Sequence, residues 1–357
     1  MSTLPSSPWV RSAILVVGFA ATMATAQQLD PGIDVVRLST VERHGPRVLC
    51  VVAHPDDEIA FAGSLYKIAT HLDGACDLVV ITNGEAGYKY STLAERIYHL
   101  KLTDPEIGRR ELPRIRRAEM IEAAKILNLR ELLFLHQQDH RYTQDPNEVL
   151  AADAGVWDLQ LVRATLDELL KARDYDFVFT HLPSPTAHGH HQAATVLALE
   201  AIARLSPDRR PVALGSFSTR DPGARPPVPA MLAGRPITRY HARVGPFVFD
   251  RQQKFGFRGR LDYRVITNLA MAQHRSQGTY LLGVGRGIAE SFALYALHVP
   301  DAAARAQELF QRLAEPQFDD VDYDENGDRI ETQAGLPRDL DPAGRDVHPH
   351  PVRDRDR

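Results

Sequence analysis

Apolar and polar positions fall in blocks along this chain, and the period of each block predicts an element. Short continuous apolar runs predict buried strands over 47–53, 77–82, 132–135, 177–180 and 212–217. Helical spacing between them predicts helices over 59–71, 113–127, 158–172 and 191–205. In the last of these, Ala194, Leu197, Ala198, Ala201 and Ile202 mark one apolar face. Strands and helices taken in turn predict an α/β fold, a Rossmann-like and mostly parallel sheet with helices on both faces. A Pro/Gly/Arg-rich stretch over 221–236 reads as a long loop. It leads to a late strand over 247–250 and a helix over 263–277. The domain is placed at 47–300, about 250 residues, enough to bury one sizeable core.

The ends of the chain have a different pattern. Arg11 precedes the apolar run from Ala13 to Met23, and Ala24-Thr25-Ala26 then stand before Gln27. Residues 1–26 read as a secretory signal peptide cut near Ala26–Gln27, so the mature protein is expected outside the cytoplasm, periplasmic or extracellular. Residues 27–46 show no periodicity and read as a linker. Residues 316–357 are rich in Asp, Arg and Pro and read as an acidic, disordered tail. Within it Asp322 to Gly327 copy the first half of a calcium loop, but Gln333 stands where the bidentate glutamate belongs, so a solvated turn is expected.

Composition narrows the class of partner. With 42 Lys and Arg against 46 Asp and Glu, and no basic patch interleaved with aromatics, the chain lacks the footprint of a nucleic-acid binder. Cys50 and Cys76 lie in or beside predicted strands, where free thiols act as small hydrophobes. Export permits a bridge between them, but two buried thiols are the expectation.

The candidate chemistry sits at strand ends. His54-Pro55-Asp56-Asp57-Glu58 follows the first strand, where open α/β sheets bind ligands. Helix capping would account for the acids but not for the histidine. Acids at this position would also repel a dinucleotide's pyrophosphate, which argues against a nucleotide cofactor. Gly283 to Gly287 lacks the G-x-G-x-x-G spacing and reads as a loop. After the strand over 177–180 come His181, His188, His190 and His191. His54 and Asp57 with one distant histidine make three protein ligands and leave a fourth position open, the pattern of a catalytic zinc site. His181 and His190 read as filler beside them. Arg116 stands at the head of an apolar helical stripe, either reaching a cleft or pairing with Glu119 within the helix. Asp139 follows the strand over 132–135, again at a carboxyl end.

Ala53 to Glu58 and His188-Gly189-His190-His191 together resemble the PIG-L/LmbE-like zinc-dependent N-acetylglucosaminyl deacetylases, a likeness spanning roughly 47–300. The resemblance implies that His54, Asp57 and His191 bind the metal, zinc with iron(II) as the alternative. It implies Asp56 as general base, His188 as electrophilic helper or general acid, and Arg116 and Asp139 as contacts to the sugar. His274-Arg275-Ser276-Gln277 resembles a short element near the end of the family's domain. The chain departs from the pattern at Gly189-His190, where many relatives have Pro-Asp, and at Thr186, where some have tyrosine. The implied reaction removes the N-acetyl group from an N-acetylglucosamine-type amino sugar or glycoconjugate. An amidase for another acylated amine would use the same residues. A non-catalytic sugar-binding protein would not need Asp56.

Overall fold

A computed structural model describes residues 32–277 and 287–317, with the backbone of 322–323 and 329–330. The expected signal peptide, most of the glycine loop at 283–287 and most of the tail lie outside the described residues. One sheet holds β1 (Asp34–Arg37), β2 (Arg47–Val52), β3 (Ala75–Thr82), β4 (Glu131–Gln137), β5 (Phe177–His181), β6 (Val212–Phe217) and β7 (Phe247–Asp250). After a small hairpin of β8 (Lys254–Phe255) and β9 (Leu261–Asp262), β10 (Ala289–Leu294) joins the same sheet.

The strand order is β1-β4-β3-β2-β5-β6-β10-β7. The five central strands are parallel, while β1, β10 and β7 pair antiparallel at the two sides. From β2 the chain builds outward through β3 to β4, then crosses back to lay β5 on the other side of β2. Val48 pairs with Phe177 and Cys50 with Phe179. The loops after β2 and β5 therefore leave adjacent strand ends in opposite directions and open a crevice, the usual ligand position in such sheets.

The helices are α1 (Ala62–His71), α2 (Thr92–Tyr98), α3 (Pro105–Ile126), α4 (Asn147–Leu150), α5 (Leu159–Ala172), α6 (Gly189–Arg204), α7 (Tyr263–Met271) and α8 (Ala302–Ala314). Side chains of β2 and of Ala53 just after it alternate between two cores. Val48, Cys50 and Val52 pack with residues of α1, α3, α7 and α8. Leu49, Val51 and Ala53 pack with α5 and α6. Burial on both faces is why β2 reads as an unbroken apolar run. Among the described residues, no helix is long and apolar enough to cross a membrane.

Several boundaries differ from the sequence reading. The helix expected to start at 113 starts at Pro105, because Asp104 accepts from the backbone N–H of Glu106 and Ile107, both at 3.0 Å, and proline suits the first helical position. Pro113 lies inside the helix. The helix expected over 263–277 stops at Met271. The domain runs past 300, since Ala306, Leu309, Phe310 and Leu313 of α8 join the core. The linker expected over 27–46 contains β1, too short to show a period of its own, which forms by pairing with the edge of β4. Within the expected tail, β11 (Asp322–Tyr323) and β12 (Arg329–Ile330) pair antiparallel. Cys50 and Cys76 are free and buried.

Candidate metal centre

Beyond β2 the chain is held tightly. The backbone N–H and the hydroxyl of Thr82 both donate to the Ala53 carbonyl at 2.8 Å. Asp57 Oδ2 accepts from the backbone N–H of Ala53 at 3.0 Å and of His54 at 2.8 Å, so this carboxylate is placed by the main chain. Asp56 lies at φ 121°, a conformation that L residues rarely adopt and that persists only where surroundings dictate it. Its N–H donates to Glu58 Oε2, and its side chain is clasped by Arg116.

Donor atoms of three side chains converge on one point. His54 Nδ1 lies 3.1 Å from His191 Nε2, His191 Nε2 lies 3.1 Å from Asp57 Oδ1, and His54 Nδ1 lies 3.5 Å from Asp57 Oδ2. A tetrahedral cation with bonds of roughly 2.1 Å needs donors about 3.4 Å apart. Two imidazoles and a carboxylate at this spacing are a fitting donor set for zinc. Burial works to raise the Asp57 carboxyl, but the charge of His191 and hydrogen bonds from His191 and His54 hold it well below its ordinary range. It is therefore the anionic member of the set. His191, on the first turn of α6, has one edge open to a cavity of about 840 Å³ that also touches His181, Ser184, Thr186, Ser216 and Arg251.

Asp56 adjoins this set without belonging to it. Its carboxyl is pushed up to about 6, first by burial, against the opposing charge of Arg116. That guanidinium donates to Asp56 Oδ2 at 2.8 Å, to the Gly84 carbonyl at 2.5 Å and to the Pro55 carbonyl. The sequence reading had Arg116 contacting sugar, and the structure places its guanidinium against Asp56. It is 3% exposed, with both terminal nitrogens engaged beneath Asp56. The intrahelical pairing with Glu119 does not form either. Glu119 accepts from Ser276 Oγ at 2.5 Å and from Tyr98 Oη at 2.9 Å. His274 Nε2 meets Glu58 Oε1 at 2.6 Å, and Gln277 donates to the Gly87 carbonyl at 3.0 Å. The His-x-Ser-Gln element thus braces the floor of the site.

Asp139, expected as a second sugar contact, faces inward. It is 3% exposed, accepts from the backbone N–H of Ala86 at 3.2 Å, and turns Oδ1 toward His54 Nε2 at 3.9 Å and His190 Nδ1 at 3.4 Å. It lies behind His54, on the side away from the three donors. Burial pushes the neighbouring Glu85 carboxyl up to about 7.

The histidines after β5 take different posts. His188 caps α6, its Nδ1 accepting from the His190 N–H at 3.0 Å, which leaves the proton of the neutral ring on Nε2. Burial, helped by charge on His54 and His191, lowers it to about 3. Tyr142, largely exposed, sets its ring 5.0 Å from that of His188. His181 stacks on His191 at 5.0 Å, and burial lowers it to about 4. His190, read from sequence as filler, is wholly buried between His54 and His140. Its sequence signal was its place among four histidines in the eleven residues from His181 to His191.

Residues 49–202 match the family model described as PIG-L, GlcNAc-PI de-N-acetylase. No curated protein matches the chain. Among solved structures, N,N'-diacetylchitobiose deacetylase from Pyrococcus horikoshii is 18% identical, covering 71% of this chain and 85% of that one at a TM-score of 0.42. The deacetylase of the antimicrobial A40926 pseudoaglycone is 17% identical, over 71% and 97%, at 0.39. A 4-carboxy-2-hydroxymuconate hydratase from Pseudomonas putida is 17% identical, over 70% and 95%, at 0.41. Overlap this loose carries no argument about activity.

Proposed function

Because residues 49–202 match the PIG-L family model, we propose that this protein is an exported, zinc-dependent hydrolase that removes the N-acetyl group from an N-acetylglucosamine-type amino sugar. The observation that carries the reading is the placement of His54, Asp57 and His191 at tetrahedral spacing, with the buried carboxyl of Asp56 beside them and outside the set. Zinc held there would supply a Lewis acid that acidifies water and polarises the amide carbonyl.

The remaining work falls to side chains. Asp56, at about 6, is largely ionised at pH 7 yet basic enough to take the proton of the attacking water. Arg116 holds it in position and out of the donor set. The new C–O bond forms as the amide carbonyl becomes an oxyanion, and the Nε2–H of His188 is available to donate to it. The resemblance implied His188 as electrophilic helper or general acid. The neutral ring serves as donor without carrying a charge. The C–N bond then breaks, Asp56 returns its proton to the leaving amine, and acetate and a free amino sugar result. Hydroxyls of Ser184, Thr186 and Ser216 in the adjoining cavity suit a polyhydroxylated ligand.

The test is acetate release from N-acetylglucosamine derivatives, measured before chelation, after it, and after zinc is restored. Release that survives complete chelation, or no release from any N-acetylated sugar by the zinc-loaded protein, rejects the proposal. Export is tested separately by N-terminal sequencing, with a start near Gln27 expected. Met1 retained on the mature protein would reject it.

A further inference from the structure

His54 Nε2 lies 3.2 Å from His190 Nδ1, His190 Nε2 lies 3.0 Å from His140 Nδ1, and His140 Nε2 lies 2.8 Å from Glu148 Oε2. The three rings and the carboxylate form one unbroken row leading from the donor set toward the surface. Glu148 is anchored at its outer end by Arg141 at 2.9 Å and by Thr143 Oγ1 at 2.9 Å. We propose that His190, His140 and Glu148 are positioning residues for the metal centre: they fix the tautomer of His54, so that its Nδ1 lone pair faces Asp57 and His191.

The direction of every bond follows from one end. An ionised carboxylate only accepts, and a neutral imidazole has one donor and one acceptor nitrogen. His140 must therefore donate from Nε2, which makes its Nδ1 an acceptor. His190 must then donate from Nε2 and accept at Nδ1. His54 in turn must donate from Nε2, which leaves Nδ1 bare. That is the atom placed 3.1 Å from His191 Nε2 and 3.5 Å from Asp57 Oδ2. A metal-binding histidine commonly donates its other N–H to a carboxylate, and loss of such partners lowers metal affinity by about 10–100-fold. Here two further imidazoles carry that function outward to Glu148. Asp139 does not do it directly, because its Oδ1 stands 3.9 Å from His54 Nε2 and has no hydrogen-bond partner.

The inference rests on the proposed metal reading, and one set of measurements separates the two. Zinc affinity is measured by chelator competition on the full chain, with stoichiometry by elemental analysis and folding checked by thermal melting of the metal-free protein. His190→Leu removes both hydrogen bonds and should weaken zinc about 10–100-fold. His190→Gln, whose amide can accept from His54 and donate to His140, should restore most of that loss. Glu148→Ala should weaken zinc about tenfold in the wild-type background and have no further effect in His190→Leu. A row acting as a unit requires this non-additivity, and a merely structural role does not produce it. If Glu148→Ala has the same effect in both backgrounds, or if zinc affinity is unchanged in His190→Leu, the relay is refuted while the metal centre stands. Two zinc ions per chain, one of them lost in His190→Leu, would make His190 a ligand and overturn its positioning role. A wild-type chain that binds no zinc refutes both readings.

Discussion

Replacing Arg116 by methionine isolates the feature that sequence reasoning placed elsewhere. The substitution keeps much of the stem's packing and removes the bonds to Asp56, Gly84 and Pro55 together. Breaking a buried ion pair from one side costs about 3–5 kcal/mol, against a total domain stability of about 5–15 kcal/mol. The variant should still fold but melt well below wild type. Its effect on activity follows from the carboxyl left behind. Arg116 is the chief influence holding Asp56 down against burial, and a cation in contact typically lowers a carboxyl by about 1–3 pKa units. Without it, Asp56 should rise from about 6 to roughly 7–9. At pH 7 the ionised fraction would fall from about 0.9 to between roughly 0.5 and 0.01, a rate loss of about 2- to 100-fold. Raising the pH should recover it. The assay is the pH profile of kcat/KM for deacetylation, whose acidic limb should move up by those 1–3 units. Arg116→Lys, which keeps the charge but not the fork, should lie between. An acidic limb in Arg116→Met that coincides with wild type, in protein shown to be folded, refutes the reasoning.

Asp56→Asn should lower turnover by about 10²–10⁴-fold with zinc content near wild type, and loss of zinc would contradict its place outside the donor set. Asp57→Asn should instead lower zinc occupancy, with activity partly restored by added zinc; full occupancy in elemental analysis would count against Asp57 as a ligand. Gly84→Ala should resemble Arg116→Met, because a Cβ at φ 70° would lie 2.3 Å from the Arg116 guanidinium; an unchanged pH profile would show that the clasp tolerates displacement. Glu85 titrates near 7 when folded and near 4.5 otherwise, so the folded state holds an extra proton between those values. Stability should therefore fall by about 3 kcal/mol as pH rises through that window, and Glu85→Gln should flatten the slope. Chemical denaturation at pH 4.5 and 7.5 measures both chains, and equal slopes would disprove it.

Much of the scaffold was readable along the chain because its causes are local. A strand buried on both faces needs nearly every side chain apolar, so β2, β5 and β6 stand out as runs. His54 and Asp57 share one turn, and His188 and His191 share one helix start, so short spacing brings each pair together. Elements with weak local signals were missed. Strand β1 spans four residues and forms by pairing with β4, and the stripe of α8 lay beyond the expected domain boundary.

What no spacing could show is which distant residues meet. Sheet order sets β5 beside β2, which brings His191 to within 3.1 Å of His54, 137 positions earlier. The same folding carries Arg116 under Asp56 from 60 positions away and encloses His190 between His54 and His140. Residue type and spacing marked His54 and Asp57 as candidate donors with one distant histidine, and the resemblance pointed to His191 as that histidine. The division we propose between ligands, base and supporting residues depends on direction and burial, and those exist only after the two strand ends are adjacent and the helices have closed over them.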